Sequence, residues 1–184
     1  IFLCRFDLNV PLNKLDENTY KRHITDFSRI NAIIPTIEHI LEQKPKQLTI
    51  MSHLARPKGI YNKHFSMKPV AEHLQTVLNE KIELVDIAPE NVNKSRVMCL
   101  ENLRFYKGEE DNCEEFSKLL SKFGDVYVND AFGTTHRKHA SVHGITKMYN
   151  QENLYPGFLL QKELNALDKL LNNAEKPFVA VLGG

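Results

Sequence analysis

Residues 125–141 read DVYVNDAFGTTHRKHAS: a short apolar strand, Val126 to Val128, runs directly into Asn, Asp, two Thr, two His and an Arg. The same plan recurs upstream. The apolar run at 1–6 empties into Asp7, Asn9 and Pro11, LTIM at 48–51 empties into SHLARPKG, and VMCL at 97–100 empties into ENLRFYKG. In open α/β sheets, ligands sit beyond the carboxyl ends of the strands. Four strands that deliver polar and cationic residues at that end build one convergent site. Its charge suits a small anion.

The segments between the strands have helical periodicity. Ile30, Ile33, Ile34, Ile37, Ile40 and Leu41 repeat at the i, i+3, i+4, i+7 spacing of one buried face. Pro35 predicts that this helix starts near it or kinks there. Ser66 is placed to cap a helix carrying Pro69, Val70, Leu74, Val77 and Leu78. Phe116, Leu119, Leu120 and Phe123 form a third stripe, with Gly124 as its C-cap. A fourth helix, about 157–172, carries Leu160, Leu164, Leu167 and Leu171. All four stripes read as core rather than as a cofactor box. Strands alternating with helices predict an α/β fold: a doubly wound, Rossmann-like parallel sheet with helices on both faces.

Composition narrows the class. The 184 residues are 42% hydrophobic and 26% charged with a net charge of +1, so no global field draws the chain to nucleic acid or to a membrane. No apolar run approaches the roughly 18 residues of a membrane helix. No charged-then-apolar leader suggests secretion. The three cysteines, Cys4, Cys99 and Cys113, have no metal-type spacing. Their odd count fits a reducing, cytoplasmic compartment. Cys4 and Cys99 lie inside strand runs, where a thiol packs rather than reacts. The chain begins inside an apolar run and stops at Gly183-Gly184, directly after the strand-like PFVAVL of 177–182. It therefore reads as a piece of something longer.

The candidate ligand groups are cationic. Arg56 and Lys58 flank Pro57 after one strand, with His53 three residues before Arg56; Arg104 and Arg137 follow two others. Arg29 opens the Ile-rich helix. A single loop arginine is ordinarily a solvated charge, and the argument rests on three of the four arginines lying at equivalent strand ends. Guanidinium forks bond carboxylates and phosphates in bidentate fashion. Asp7 and Asn9 add acceptors that suit hydroxyl groups or orient the arginines. A phosphorylated hydroxy-acid satisfies both kinds of group. The spacing His136-x-x-His139 near Asp130 is a poor metal site, because Arg137 and Lys138 between the histidines repel a cation. Ser141 and His143 lack the elbow of a hydrolase, and no Walker loop is present. Binding of RNA is disfavoured by the lack of paired aromatics and of a dense basic stripe.

These residues resemble a known family, phosphoglycerate kinase, in its N-terminal phosphoglycerate-binding domain. The resemblance is carried by RFDLNVP (5–11), SRINAIIPTI (28–37), SHLARPKG (52–59), LENLRFYKGEE (100–110) and GDVYVNDAFGTTHRKHAS (124–141), and extends through FLLQKELNAL (158–167) and KPFVAVLGG (176–184). It implies that Asp7, Asn9, His53, Arg56, Arg104 and Arg137 bind 3-phosphoglycerate, with Leu8, Leu54 and Ala55 lining the same site. It implies that Arg29 reaches the transferring phosphoryl group as the catalytic residue. The implied reaction exchanges a phosphoryl group between 1,3-bisphosphoglycerate and Mg-ADP. It further implies three parts: a substrate domain over 1–156, a hinge helix and linker over 157–175, and the first strand of a nucleotide domain over 176–184. Gly183 and Gly184 would open the nucleotide loop, the rest of which is missing, so the 184 residues alone are expected to bind triose without turnover. Three departures stand out. Ala55 replaces the family's usual Gly, with a methyl that would crowd the backbone; 13–24 is longer than usual, and 87–96 shorter.

Overall fold

The computed structural model describes residues 1–13, 22–172, 176, 178, 179 and 181. Its centre is a parallel sheet of six strands among the described residues: β1 (Phe2–Phe6), β2 (Leu48–Met51), β3 (Glu83–Val85), β4 (Val97–Leu100), β5 (Val126–Asp130) and β6 (Leu154–Pro156). The order is β3-β4-β2-β1-β5-β6. β3 and β6, three residues each at the two edges, escape the sequence reading because they are too short to show alternation. Helices α1 (Ser28–Glu42), α2 (Lys68–Leu78), α3 (Lys107–Glu110), α4 (Glu114–Ser121), α5 (Phe132–Thr135) and α6 (Phe158–Asn172) connect or flank the strands.

Strand alternation sorts the core into two layers. Cys4, Phe6, Leu48, Ile50, Val97 and Cys99 face one way, against Ile30, Ile33 and Ile37 of α1 and Val70 and Leu74 of α2. Leu3, Met51, Met98, Leu100 and Tyr127 face the other way, against Phe116 and Leu120 of α4, Phe123 and Ile145. The doubly wound arrangement expected from the sequence is therefore present. The chain leaves β1 toward β2 and later returns to β5 on β1's other side, so the strand order switches direction between β1 and β5. The crevice outside that point is where ligands bind in sheets of this kind.

Several local expectations need correction. Pro35 lies inside α1, which already starts at Ser28. Helix α2 begins at Lys68, and Ser66 still serves it, its Oγ accepting the Lys68 N–H at 3.1 Å. Gly124 is not a left-handed C-cap: α4 ends at Ser121 and its C-cap is Lys122, in right-handed geometry. Gly124 is instead required for close approach, since a Cβ there would lie 2.6 Å from the Leu3 nitrogen. The leucine stripe of α6 is not core. Leu160 is buried, whereas Leu164, Leu167, Leu170 and Leu171 are exposed. Phe178, Val179 and Val181 of the anticipated strand 177–182 are also exposed and belong to no strand. The remainder of that run, Gly183, Gly184 and most of the 13–24 segment lie outside the described residues.

Helix α6 is rooted at its first turn. The Asp130 carboxylate, fully buried at the end of β5, accepts the Leu160 N–H at 2.8 Å and the Thr36 hydroxyl at 2.6 Å. The Thr36 Oγ1 in turn accepts the Phe158 N–H at 3.0 Å. Burial pushes the Asp130 carboxyl upward, and these bonds oppose that shift.

The loop after β2 contains Ala55 in the left-handed region, φ +57°. An alanine here carries left-handed strain, because its Cβ lies close to the following carbonyl oxygen. Two outcomes follow from this geometry. Gly124→Ala lowers unfolding free energy by about 2–3 kcal/mol, because the neighbour that must move is strand backbone; denaturant titration reads it, and a loss below a few tenths would contradict the packing. Ala55→Gly raises stability by about 1 kcal/mol, the relief of left-handed strain exceeding the added freedom of the unfolded chain. The melting temperature then rises by roughly 2–4 °C for a chain of this size.

Candidate functional site

The loops at the carboxyl ends of β1, β2, β4 and β5 are joined by buried polar side chains. Ser52 Oγ donates to the Phe6 carbonyl at 2.8 Å and accepts the Leu8 N–H at 2.9 Å, tying the β2 loop to the β1 loop. Asn102 is fully buried. Its Nδ2 donates to the carbonyls of Leu54 (2.7 Å) and Phe65 (2.8 Å), while its Oδ1 accepts the N–H groups of Leu54 (3.2 Å) and Arg104 (3.1 Å). All four bonds available to an asparagine side chain are thus made. Leu8 and Leu54 have their side chains in the core, so only their backbones face the site.

On this frame the expected residues converge. Asp7 Oδ2 pairs with Arg29 Nη1 at 2.5 Å, and Asp7 Oδ1 accepts the Asn9 N–H at 3.3 Å. The α5 backbone lies close beside this pair, since a Cβ on Gly133 would stand 2.8 Å from Asp7 Oδ2. Asn9 Oδ1 accepts the Ala55 N–H at 2.8 Å, and the Ala55 carbonyl accepts from Arg104 Nη1 at 2.7 Å. The left-handed turn at Ala55 is thus held from both sides. Arg104 is buried, with its Nε 3.6 Å from Glu110 Oε1. Burial lowers its pKa, Glu110 opposes that shift, and Arg137 and Arg5 add to it. Arg137 is half-buried near it. Arg56 is exposed and makes no hydrogen bond or ion pair among the described residues. The structure thus gathers Asp7, Asn9, Arg29, His53, Ala55, Arg104 and Arg137 and leaves Arg56 free at the rim.

His53 has the most defined chemistry. It is buried, and its Nδ1 lies 3.0 Å from Arg5 Nη2. A guanidinium only donates, so Nδ1 must accept and the ring proton sits on Nε2. Burial and then the neighbouring Arg5, Arg104 and Arg29 push the imidazole pKa far down. His53 is therefore a neutral ring with one fixed N–H, and Nε2 has no partner among the described residues. A fixed donor among guanidinium groups is suited to an anionic oxygen.

Arg5, Ser52, Asn102, Glu109 and Ser141 support the site and were not anticipated. Arg5 carries a signal in the sequence, a lone charge in the apolar run FLCRF, but that pattern does not reveal its partner. Ser141 is buried against Glu109 and serves no His143-based triad. Among the described residues, no group of three or more His, Cys, Asp or Glu side chains is arranged to hold a metal. A cavity of about 600 Å³ lies elsewhere, lined by Arg22, Phe27, Tyr61, His64 and His73 among others. None of the gathered residues lines it.

The comparisons agree with this frame. The family profile described as phosphoglycerate kinase matches residues 1–184. The phosphoglycerate kinase of Nitratiruptor sp. is 44% identical over 188 residues, covering 98% of this chain and 45% of that protein. The cytosolic phosphoglycerate kinase of Triticum aestivum is 45% identical, covering 98% and 44%. The solved structure of phosphoglycerate kinase from Coxiella burnetii superposes with a TM-score of 0.85 at 38% identity, covering all of this chain and 45% of that one. The chain spans less than half the length of these relatives. Matched from end to end by the family and sharing the backbone of a solved member, this chain belongs to the phosphoglycerate kinase family.

Proposed function

We propose that these residues form the phosphoglycerate-binding half of a phosphoglycerate kinase, which moves a phosphoryl group between 1,3-bisphosphoglycerate and Mg-ADP. The observation that carries this reading is the convergence of His53, Arg104 and Arg137 beside the Asp7–Arg29 pair. In the forward direction a P–O bond forms to the terminal oxygen of ADP and the acyl phosphate P–O bond breaks. The electron pair leaves on the carboxylate of 3-phosphoglycerate, and ATP is the other product. Such a transfer needs alignment and charge stabilisation more than covalent help.

Each residue has a part that its geometry supports. His53 gives its Nε2 proton to an oxygen of the triose, and Arg104, Arg137 and the rim Arg56 neutralise its phosphate and carboxylate. Asn9 and Asp7 orient the Ala55 turn and Arg29. Arg29, half-exposed at the start of α1, is the group that stabilises charge on the phosphoryl in transit. An arginine in that position is worth about 10³-fold or more in other phosphoryl transfers. Helix α6 is the hinge leading to the part of the relatives that this chain does not span. That part would hold the nucleotide and its magnesium, with Gly183 and Gly184 contributing to the nucleotide loop. Closing the two halves would bring the substrates together and exclude water. A cytosolic, monomeric, glycolytic role follows from this reading; among the described residues no helix is long and apolar enough to cross a membrane.

Calorimetric titration of the 184-residue chain tests the assignment. Binding of 3-phosphoglycerate is expected, with no heat and no ATP formation from Mg-ADP, and Arg56→Ala weakens the triose by roughly tenfold through loss of one charged contact. Nucleotide binding without triose binding would overturn it. A pH experiment tests the neutral His53. Its folded pKa is depressed, so below the ordinary value near 6.5 the unfolded chain takes up a proton that the folded chain refuses. Stability is thus complete above that pH and falls by about 2 kcal/mol from pH 7 to pH 5. His53→Gln should remove most of that slope; an unchanged slope would place the proton uptake elsewhere.

A further inference from the structure

The function proposed above makes no use of one fully buried acid. Glu109, on the short α3 after β4, has no exposure to solvent. Its Oε2 accepts the Ser141 N–H at 2.9 Å and its Oε1 accepts the Ser141 hydroxyl at 2.6 Å. The same hydroxyl oxygen accepts Arg5 Nε at 3.0 Å. Arg5 spends a second donor on the Phe6 carbonyl and a third on His53 Nδ1, at 3.0 Å. His139 Nδ1 stands 3.8 Å from Glu109 Oε1 on the other side.

The polarity of this chain of bonds is fixed by its ends. A carboxylate can only accept and a guanidinium can only donate, so the Ser141 proton must point to Glu109 and its lone pair to Arg5. The guanidinium is then held in one plane, and the donor it offers to His53 fixes which ring nitrogen is bare. Glu109 is also the buried negative charge behind a surface of arginines. Removing it would leave Arg5 and Arg104 buried and mutually repelling. The bonded segments are β1, the β2 loop, α3 after β4 and the loop after β5, the same four that carry the anion-binding candidates.

We infer that Glu109 is a positioning residue of the anion site: acting through Ser141 and Arg5, it locks His53 as an Nε2–H donor. The inference rests on the phosphoglycerate reading for its consequence in binding. The geometry of His53 is independent of that reading.

The test is nitrogen-15 spectroscopy of the histidine ring in the complete protein that carries this chain, with the His53 signals assigned by their loss in His53→Gln. The native protein should show a bare Nδ1 and a protonated Nε2; a mixture or the opposite tautomer would overturn the inference before any other variant is made. Glu109→Gln keeps the volume and removes the charge. It should give mixed His53 tautomers and a dissociation constant for 3-phosphoglycerate raised about tenfold. An unchanged ring spectrum in folded Glu109→Gln would also overturn it. Ser141→Ala leaves both charges in place and removes only the connecting hydroxyl, so it should reproduce the spectral change even if Glu109→Gln does not fold. Failure of the native protein to bind 3-phosphoglycerate would sink the functional reading alone, because the ring spectrum still decides the positioning role.

Discussion

A guanidinium inside a parallel sheet needs acceptors around it, because burying an unpaired charge costs several kcal/mol. Arg5 bonds through each of its three nitrogens, to a serine hydroxyl, a backbone carbonyl and an imidazole nitrogen, which come from three different segments of the chain. Satisfying one buried side chain therefore fixes where the β2 loop and the loop after β5 stand relative to β1. Ser52 and Asn102 extend the same logic outward with neutral groups, each using both its donor and its acceptor capacity. The loops that face the ligand crevice are thereby tied to one another by buried hydrogen bonds.

That order explains how like charges can be gathered. Arg29, Arg104 and Arg137 would repel one another, and two of them are held by acceptors: a carboxylate for Arg29, a carbonyl and Glu110 for Arg104. The same positive field acts on His53. A histidine that stays neutral adds a donor without adding to the repulsion, and the hydrogen bond from Arg5 dictates where its proton sits. An incoming anion would then meet a preformed arrangement and would not have to assemble one.

The outline of this architecture was legible in residue pattern alone. Four strand ends loaded with polar residues predict the sheet, its polarity and the end at which the candidate residues gather, and the Ile-rich stripe predicts α1. Other features depend on distance in three dimensions. The apolar face of α6 has the same period as a buried helix, but the pattern cannot say whether a partner surface is present, and here Leu164, Leu167 and Leu171 face solvent. Gly124 has the composition of a cap and the function of a spacer against β1. The strain at Ala55 is a torsion angle, invisible in a letter. Glu109 and Ser141 are 32 residues apart, and no local rule pairs them.

The rooting of α6 has a mechanical meaning. Its first turn is pinned by Asp130 and Thr36, and Gly157 just before it fits so closely against Asp130 that a Cβ would stand 2.2 Å from the carboxyl carbon. Beyond Leu160 the helix has an exposed leucine edge. Rooted at one end, it has the geometry of a lever with a fixed fulcrum. Fifteen helical residues extend about 22 Å, so a rotation of roughly ten degrees at the root sweeps the far end through about 4 Å. The hydrogen bonds of a single buried carboxylate set the angle from which that displacement is measured.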